Sequence, residues 1–227
     1  MTDSPARRLI IAIDGPAGAG KSTIASRLAR KLGYVNLESG AMYRALALKA
    51  IQNDISFDEE RPLLDLAQSS RIRLEPSLGG NRVWLDGRDV TLRVRDTDVT
   101  EGASRVSVHP RVREWMVDRQ RELGSTGGLV MEGRDIGTKV FPNADVKIFL
   151  DADPWVREQR RLQQGLPNRS PQATAEDLRE RDHRDRTRAA SPLAPAPDAV
   201  QLDSTGMSED EVLKKVEDVV MRKLAAG

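Results

Sequence analysis

Near the start of the chain, Gly15-Pro16-Ala17-Gly18-Ala19-Gly20-Lys21-Ser22 matches the pattern G-x-x-x-x-G-K-[ST] in full. Glycines let the backbone curl until successive N–H groups point at phosphate oxygens. A helix beginning there adds the positive end of its dipole. Lys21 can reach β- and γ-phosphates, and the Ser22 hydroxyl can ligate Mg²⁺. With Thr23 behind it, the stretch from Gly15 to Thr23 is expected to hold ATP, with Ser22 on the metal. A glycine-rich turn could fit the pattern by chance. This one follows a buried strand and precedes an amphipathic helix, the context its chemistry needs.

Such a cradle leaves open what waits at the far end of the phosphate chain. Residues 151 to 213 contain no lysine, yet nine arginines fall between 154 and 190. A guanidinium grips phosphate oxygens two at a time, where an ammonium is a point charge. Arg157, Arg160 and Arg161 sit three and four apart, on one helical face. LQQGLPNRSPQA then reads as a mobile loop, so residues 154–174 are expected to form a lid carrying Arg157 and Arg161. In ERDHRDRTRA, residues 180 to 189, Arg181, Asp185 and Arg188 fall on one line of a helix, with Arg184 close by. Asp182 and Arg186 lie on another side, suited to a solvated pair. A run of this kind is more often a salt-bridged surface helix. The cradle and the lid turn the balance toward ligand binding for Arg181, Asp185 and Arg188.

Two short motifs add to the set. In ESGAMYR, Ser39 is expected to cap a helix, with Tyr43 one turn on and Arg44 next. Together they could hold a ribose phosphate or stack a base; alone, a plain cap with a core tyrosine is the better reading. In EGRD, Gly133 follows a buried strand, so Arg134 and Asp135 sit at its carboxyl end. Open α/β sheets bind their ligands there.

These side chains need a scaffold. LIIAI at 9 to 13 is a continuous apolar run, the mark of a strand covered on both faces. Ile24, Leu28 and Leu32 make one stripe of a helix that Gly33 ends, with Arg27, Arg30 and Lys31 outward. YVNL at 34 to 37 is a second strand, and a helix runs from Glu38 to about Gln52. Residues 71 to 90 differ: Ile72 and Leu74 alternate with arginines, Gly79-Gly80-Asn81 is a turn and Asp86-Gly87 a hairpin signal. Three antiparallel strands fit there, as an inserted lobe. Pro110 opens a helix to about Leu123 with Val112, Trp115, Met116 and Leu123 inward. LVM, VKIFL at 146 to 150 and DAVQL at 198 to 202 are further strands. A Ser208/Glu211 capping box starts a last helix whose Val212, Val216, Val219 and Val220 face inward. Strands alternating with helices give an α/β fold, a P-loop NTPase-type parallel sheet flanked by helices. The 227 residues are expected to form one P-loop chain.

Composition excludes other classes. Net charge is +1, so no global field draws the chain to nucleic acid or membrane. It has no cysteine, hence no disulfide framework or thiolate metal site, and no apolar run long enough for a signal or a span. A cytoplasmic monomer is expected. The base-reading N-K-x-D stretch of GTPase switches is absent, and a motor would need more chain.

GPAGAGKST, SGAMYR, PRVR at 110 to 113, EGRDIGTKVFPNADVKIFLDA at 132 to 152 and RDHRDRTRAASPL at 181 to 193 closely resemble bacterial cytidylate kinases, in order and over nearly the whole chain. The resemblance implies transfer of the γ-phosphoryl of ATP, with Mg, to CMP or dCMP. It also implies a core at about 9–37, 104–153 and 175–227, an acceptor-binding lobe at about 38–103 and a lid at about 154–174. It implies Ser39, Tyr43 and Arg44 in the acceptor site and Ser104, Arg113 and Asp135 on the cytosine edge. Arg44, Arg134 and Arg188 would hold the acceptor phosphate, and Arg181 and Asp185 the sugar hydroxyls. Lys21, Arg134 and Arg188 would be catalytic. Glu38 stands where that family often carries Asp and Glu132 where some members do, and both positions bear on a metal–water contact. An arginine donor facing N3 and a carboxylate accepting from N4 suit cytosine and repel uracil. Without the resemblance, an exposed helix residue is the better reading for Arg113, and a structural partner of Arg134 the better reading for Asp135. The acceptor phosphate is already an anion, so His109 and His183 are incidental, and catalysis is positioning and charge stabilisation. The alternatives are another small P-loop kinase, for uridylate or a different acceptor, and a nucleotide-binding regulatory module linked to RNA. Against the second, aromatics are only 4% and the arginines alternate with acids.

Overall fold

The structure is a computed structural model that describes residues 8–77, 80–163 and 170–225. Its central strand is β1 (Ile10–Asp14), aliphatic and covered on both faces. The glycine-rich turn leads into α1 (Lys21–Leu32), β2 (Val35–Glu38) and α2 (Ser39–Gln52). Then come α3 (Glu60–Ser69), β3 (Ile72–Ser77), β4 (Gly80–Leu85), β5 (Arg88–Asp89), α4 (Thr97–Val106) and α5 (Pro110–Leu123). The chain continues through β6 (Leu129–Gly133), a π-helical turn over Ile136–Val140, and β7 (Val146–Asp151). It finishes with α6 (Pro154–Gln163), α7 (Pro171–Thr187), β8 (Val200–Asp203) and α8 (Glu209–Ala225).

The main sheet runs β2-β6-β1-β7-β8, parallel throughout. Its register decides where the chemistry falls. Asp14 lies beside Gly133, and Glu38 beside Glu132. The carboxyl ends of three strands are therefore flush, and the residues that leave them share one edge.

Each face of the sheet has its own core. On one, Ile11, Ile13 and Ile148 pack against Leu28 of α1 and Val216 and Val220 of α8. On the other, Leu37 and Met131 join Leu46 of α2 and Val112 and Met116 of α5, and the same cluster takes in Leu74, Val83 and Leu85 of the antiparallel sheet β3-β4-β5. The inserted lobe thus grows out of the core. It does so through α2, whose Ala41, Met42, Ala45, Leu46, Leu48 and Ala50 are all buried, because a helix apolar on every side is covered on every side.

Several local expectations hold. Gly33 ends α1 at φ 65°, Asp86-Gly87 turns the second hairpin at φ 51° and 83°, and Ser208 and Glu211 cap α8 reciprocally at 2.8 and 3.3 Å. The first turn, at Gly79-Gly80-Asn81, lies partly outside the described residues. Others move. The second and last strands start one and two residues later than read, at Val35 and Val200. Leu123, expected inside, is exposed in the last turn of α5, while Arg113 and Gln120 are buried. Two helices have no counterpart in the sequence reading. α3 buries Leu63, Leu64 and Ala67 with Leu66 half-buried beside them, and α4 interleaves Val99, Ala103 and Val106 with Thr100 and Ser104, so neither shows a long apolar stripe. Among the described residues no helix is long and apolar enough to cross a membrane.

Candidate active site

The turn between β1 and α1 is shaped by close approach. A Cβ on Gly15 would sit 1.9 Å from the Leu150 carbonyl oxygen, so only glycine lets the loop pass β7. Gly20 faces open space, and there the left-handed φ of 92° is what asks for glycine. Lys21, at the start of α1, is buried and donates to the Pro16 carbonyl at 2.6 Å. Burial, then the nearby Arg134 charge, pull its pKa down to about 7, against Glu132, Asp14 and Asp185. The Ser22 hydroxyl donates to Glu132 Oε2 at 2.8 Å. Burial and the neighbouring Glu38 raise Glu132 to about 7. Burial also pushes Glu38 up, but the Arg44 guanidinium outweighs it and holds that carboxyl low. Among the described residues no group of three or more His, Cys, Asp or Glu could hold a metal. The donors present are one hydroxyl beside one carboxylate, the hard oxygen set that suits Mg²⁺ shared with phosphates and water, not a full protein cage.

Opposite the cradle, guanidinium groups gather from distant segments. Arg44 donates to Glu38 at 2.8 Å. Arg134 leaves the end of β6 and meets Asp185 of α7 at 2.8 Å, and Arg188 meets the other oxygen of Asp185 at 3.3 Å. Arg113 of α5 pairs with Asp135, donates to the Ser107 carbonyl at 2.9 Å, and lies 5.5 Å from the Tyr43 ring centre. One cleft of about 730 Å³ takes in Lys21, Ser22, Thr23 and every acceptor-site residue expected from the sequence: Ser39, Tyr43, Arg44, Ser104, Arg113, Arg134, Asp135, Arg181, Asp185 and Arg188. Asn36 Oδ1, Arg44 Nε, Ser104 Oγ, Arg113 Nε and Arg188 Nη2 are buried with no protein partner. Buried polar atoms are ordinarily bonded, so five orphans in one cleft mark places for water or ligand atoms.

Some side chains differ from their expected places. Ser39 does not cap α2: it is the first helical residue, and its hydroxyl donates to the Glu132 carbonyl at 2.8 Å. Arg157, Arg160 and Arg161 do not act as one face. Arg157 is buried behind the cradle, donating to Ala17 O at 3.1 Å and Ala152 O at 3.0 Å and pairing with Asp182. Arg160 reaches Ser204 at 2.9 Å; of the three, only Arg161 lines the cleft. Asp182 and Arg186 do not pair with each other, since Asp182 serves Arg157 and Arg186 reaches Asp151 at 3.5 Å. Arg188 lies just past the end of α7, on extended backbone, and still meets Asp185. The lid loop at 164–169 lies outside the described residues.

Two positioning side chains escape a sequence reading. Asp14, buried at the end of β1, accepts from Ile136 N at 2.8 Å and Gly137 N at 2.7 Å, pinning the turn that follows Arg134 and Asp135. Burial lifts its pKa to about 6. A charge closing an otherwise apolar strand was the available signal. Asn81 of β4 accepts from Glu38 N and donates to Asn36 O, both at 2.7 Å, and so ties the inserted lobe to β2 beside Arg44. The turn reading had absorbed that residue.

The cytidylate kinase family model matches residues 11–222. Cytidylate kinase of Solibacter usitatus is 46% identical over 100% of this chain and 98% of its own length. Cytidylate kinase of Geobacillus kaustophilus is 46% identical over 96% of this chain and 99% of its own length. Among solved structures, shikimate kinase from Bacteroides thetaiotaomicron superposes with a TM-score of 0.51 at 11% identity, over 95% of this chain and 99% of that one. A gluconokinase from Sinorhizobium meliloti gives 0.50 at 15%, over 97% and 94%. At those identities the two structures speak for the P-loop kinase fold alone. The sequence match spans the cradle, the EGRD turn and the arginines of α7 together, and by it the chain belongs to the cytidylate kinase family.

Proposed function

We propose that the protein transfers the γ-phosphoryl group of ATP to CMP or dCMP, giving ADP and CDP or dCDP. One observation carries the reading: Arg44, Arg134 and Arg188 line the same cleft as Lys21 and the glycine-rich turn. Two anions can then meet head to head, one on main-chain N–H groups and Lys21, the other among guanidinium forks. Ser22, with Glu132 beside it, would hold Mg²⁺, which when bound neutralises charge on the transferring phosphates. Lys21, Arg134 and Arg188 stabilise charge on the moving group and hold both oxygens in line. Asp135 accepts from the cytosine amino group, while Arg113 donates to its ring nitrogen. Ser104 offers a free hydroxyl at the same edge. Arg181 and Asp185 take the sugar. The lid at about 154–174 and the lobe at about 38–103 close over the pair and keep water from ATP.

An acceptor panel read by ADP release tests this. CMP and dCMP are expected to turn over, with UMP lower by at least tenfold in kcat/KM, because uracil presents a donor where Arg113 donates and an acceptor where Asp135 accepts. Turnover of UMP, a purine monophosphate or a non-nucleotide acceptor above that of CMP overturns the proposal.

A further inference from the structure

We propose that Arg95 is a fourth guanidinium for the acceptor's phosphate, supplied by the inserted antiparallel lobe. This rests on reading the cleft as the site of a pyrimidine monophosphate and adds a residue to it. Arg95 closes a single 3-10 turn, Arg93–Arg95. Its neighbours are committed elsewhere: Arg93 is held by Asp96 at 3.1 Å and by Asp98 at 2.7 Å, and Val94 is buried in the core. The Arg95 side chain instead lines the cleft. Among the described residues its guanidinium makes no hydrogen bond or ion pair.

Its position follows from contacts. Nη2 lies over Gly80, 3.5 Å from where a Cβ would stand. The next residue, Asn81, takes the Glu38 N–H at 2.7 Å, and Glu38 holds Arg44 at 2.8 Å. Arg95 therefore stands at the Arg44 end of the cleft. The helix it leads into, α4, lines the same wall with Thr100 and, one turn further, Ser104. From Ser104 toward Arg95 the wall runs from the cytosine edge to the phosphate. Chemistry gives the reason for the placement. Arg44, Arg134 and Arg188 are each paired with a carboxylate, so an arriving dianion must share them. Arg95 adds a positive charge that is in no hydrogen-bonded ion pair, only near enough to Glu38 to help hold that carboxyl low, and it comes from the inserted lobe.

Kinetics of Arg95→Ala and Arg95→Lys, with competition by the nucleoside cytidine, decide it. For Arg95→Ala the KM for CMP is expected to rise about tenfold or more, the loss of one charge-assisted contact. The KM for ATP, the Ki for cytidine and the melting temperature are expected to stay within error, and Arg95→Lys to recover part of the loss. An unchanged KM for CMP, an equal rise for ATP, or an equal loss of cytidine affinity overturns the inference. Wild-type turnover of CMP, measured alongside, keeps its failure distinct from failure of the proposed function.

Discussion

Lys21 is the residue whose state depends most on what occupies the cleft. Burial and Arg134 oppose its charge and hold it near pKa 7. At pH 8 the amine is then mostly neutral. A bound polyphosphate favours the ammonium, so its folded, liganded pKa rises, and binding takes up a proton at pH 8 but little at pH 6, where the group already carries one. Titration calorimetry of Mg-free ATP in two buffers of different ionisation enthalpy reads this directly. Heats that differ between buffers at pH 8 and converge at pH 6 are expected, with the difference at pH 8 reduced in Lys21→Met. Buffer-independent heats at pH 8 contradict the assignment. Glu132, raised to about 7, shifts the same way when an anion arrives, which is why the Lys21 variant is needed to apportion the uptake.

At the scale of elements, the glycine-rich turn is held by two distinct demands, and substitution separates them. Gly15→Ala drives a methyl group into the Leu150 carbonyl, backbone against backbone, at a cost of about 3 kcal/mol or more. Gly20→Ala meets nothing and carries only the left-handed penalty of about 1–2 kcal/mol. In a chain of this size that is a melting temperature lower by roughly 6–12 °C for the first and about 2–8 °C for the second. Equal shifts in thermal denaturation would mean that β7 does not pack on the turn as described. The turn was legible in the sequence because its spacing is local. So were α2 and α5, whose apolar residues and Pro110 mark them. What could not be read is what sheet register creates: Glu38 meets Glu132 only because β2 and β6 are neighbours, and Asp14 reaches Ile136 only because β1 lies beside β6. Arg157 was misplaced for a related reason. Its periodicity put it with Arg161, but its partner Ala17 lies 140 residues away in sequence, on the cradle itself.

Across the whole molecule, the acceptor half of the cleft is a set of charges that segments far apart in sequence hold against one another. Asp185 is its hub. Burial alone would raise its pKa, but Arg134 and Arg188 outweigh burial and keep it ionised. Each of those arginines pairs with Asp185 and, in the proposed reaction, turns to phosphate. Asp185→Ala removes the shared counter-ion and leaves two largely buried guanidinium groups facing each other, which costs about 3–5 kcal/mol of stability. The melting temperature of the empty variant should fall by roughly 6–20 °C. The same change frees both forks for an anion, so added inorganic phosphate should raise the variant's melting temperature more than the wild type's. In the proposed reaction CMP should behave differently, because its sugar would lose an acceptor as its phosphate gains donors, and its affinity should drop while that of ATP, which would sit on main-chain amides across the cleft, stays within about twofold. If phosphate stabilises both proteins alike, Arg134 and Arg188 are not the groups that Asp185 restrains. If ATP affinity falls with that of CMP, the two halves of the cleft are not separate sites.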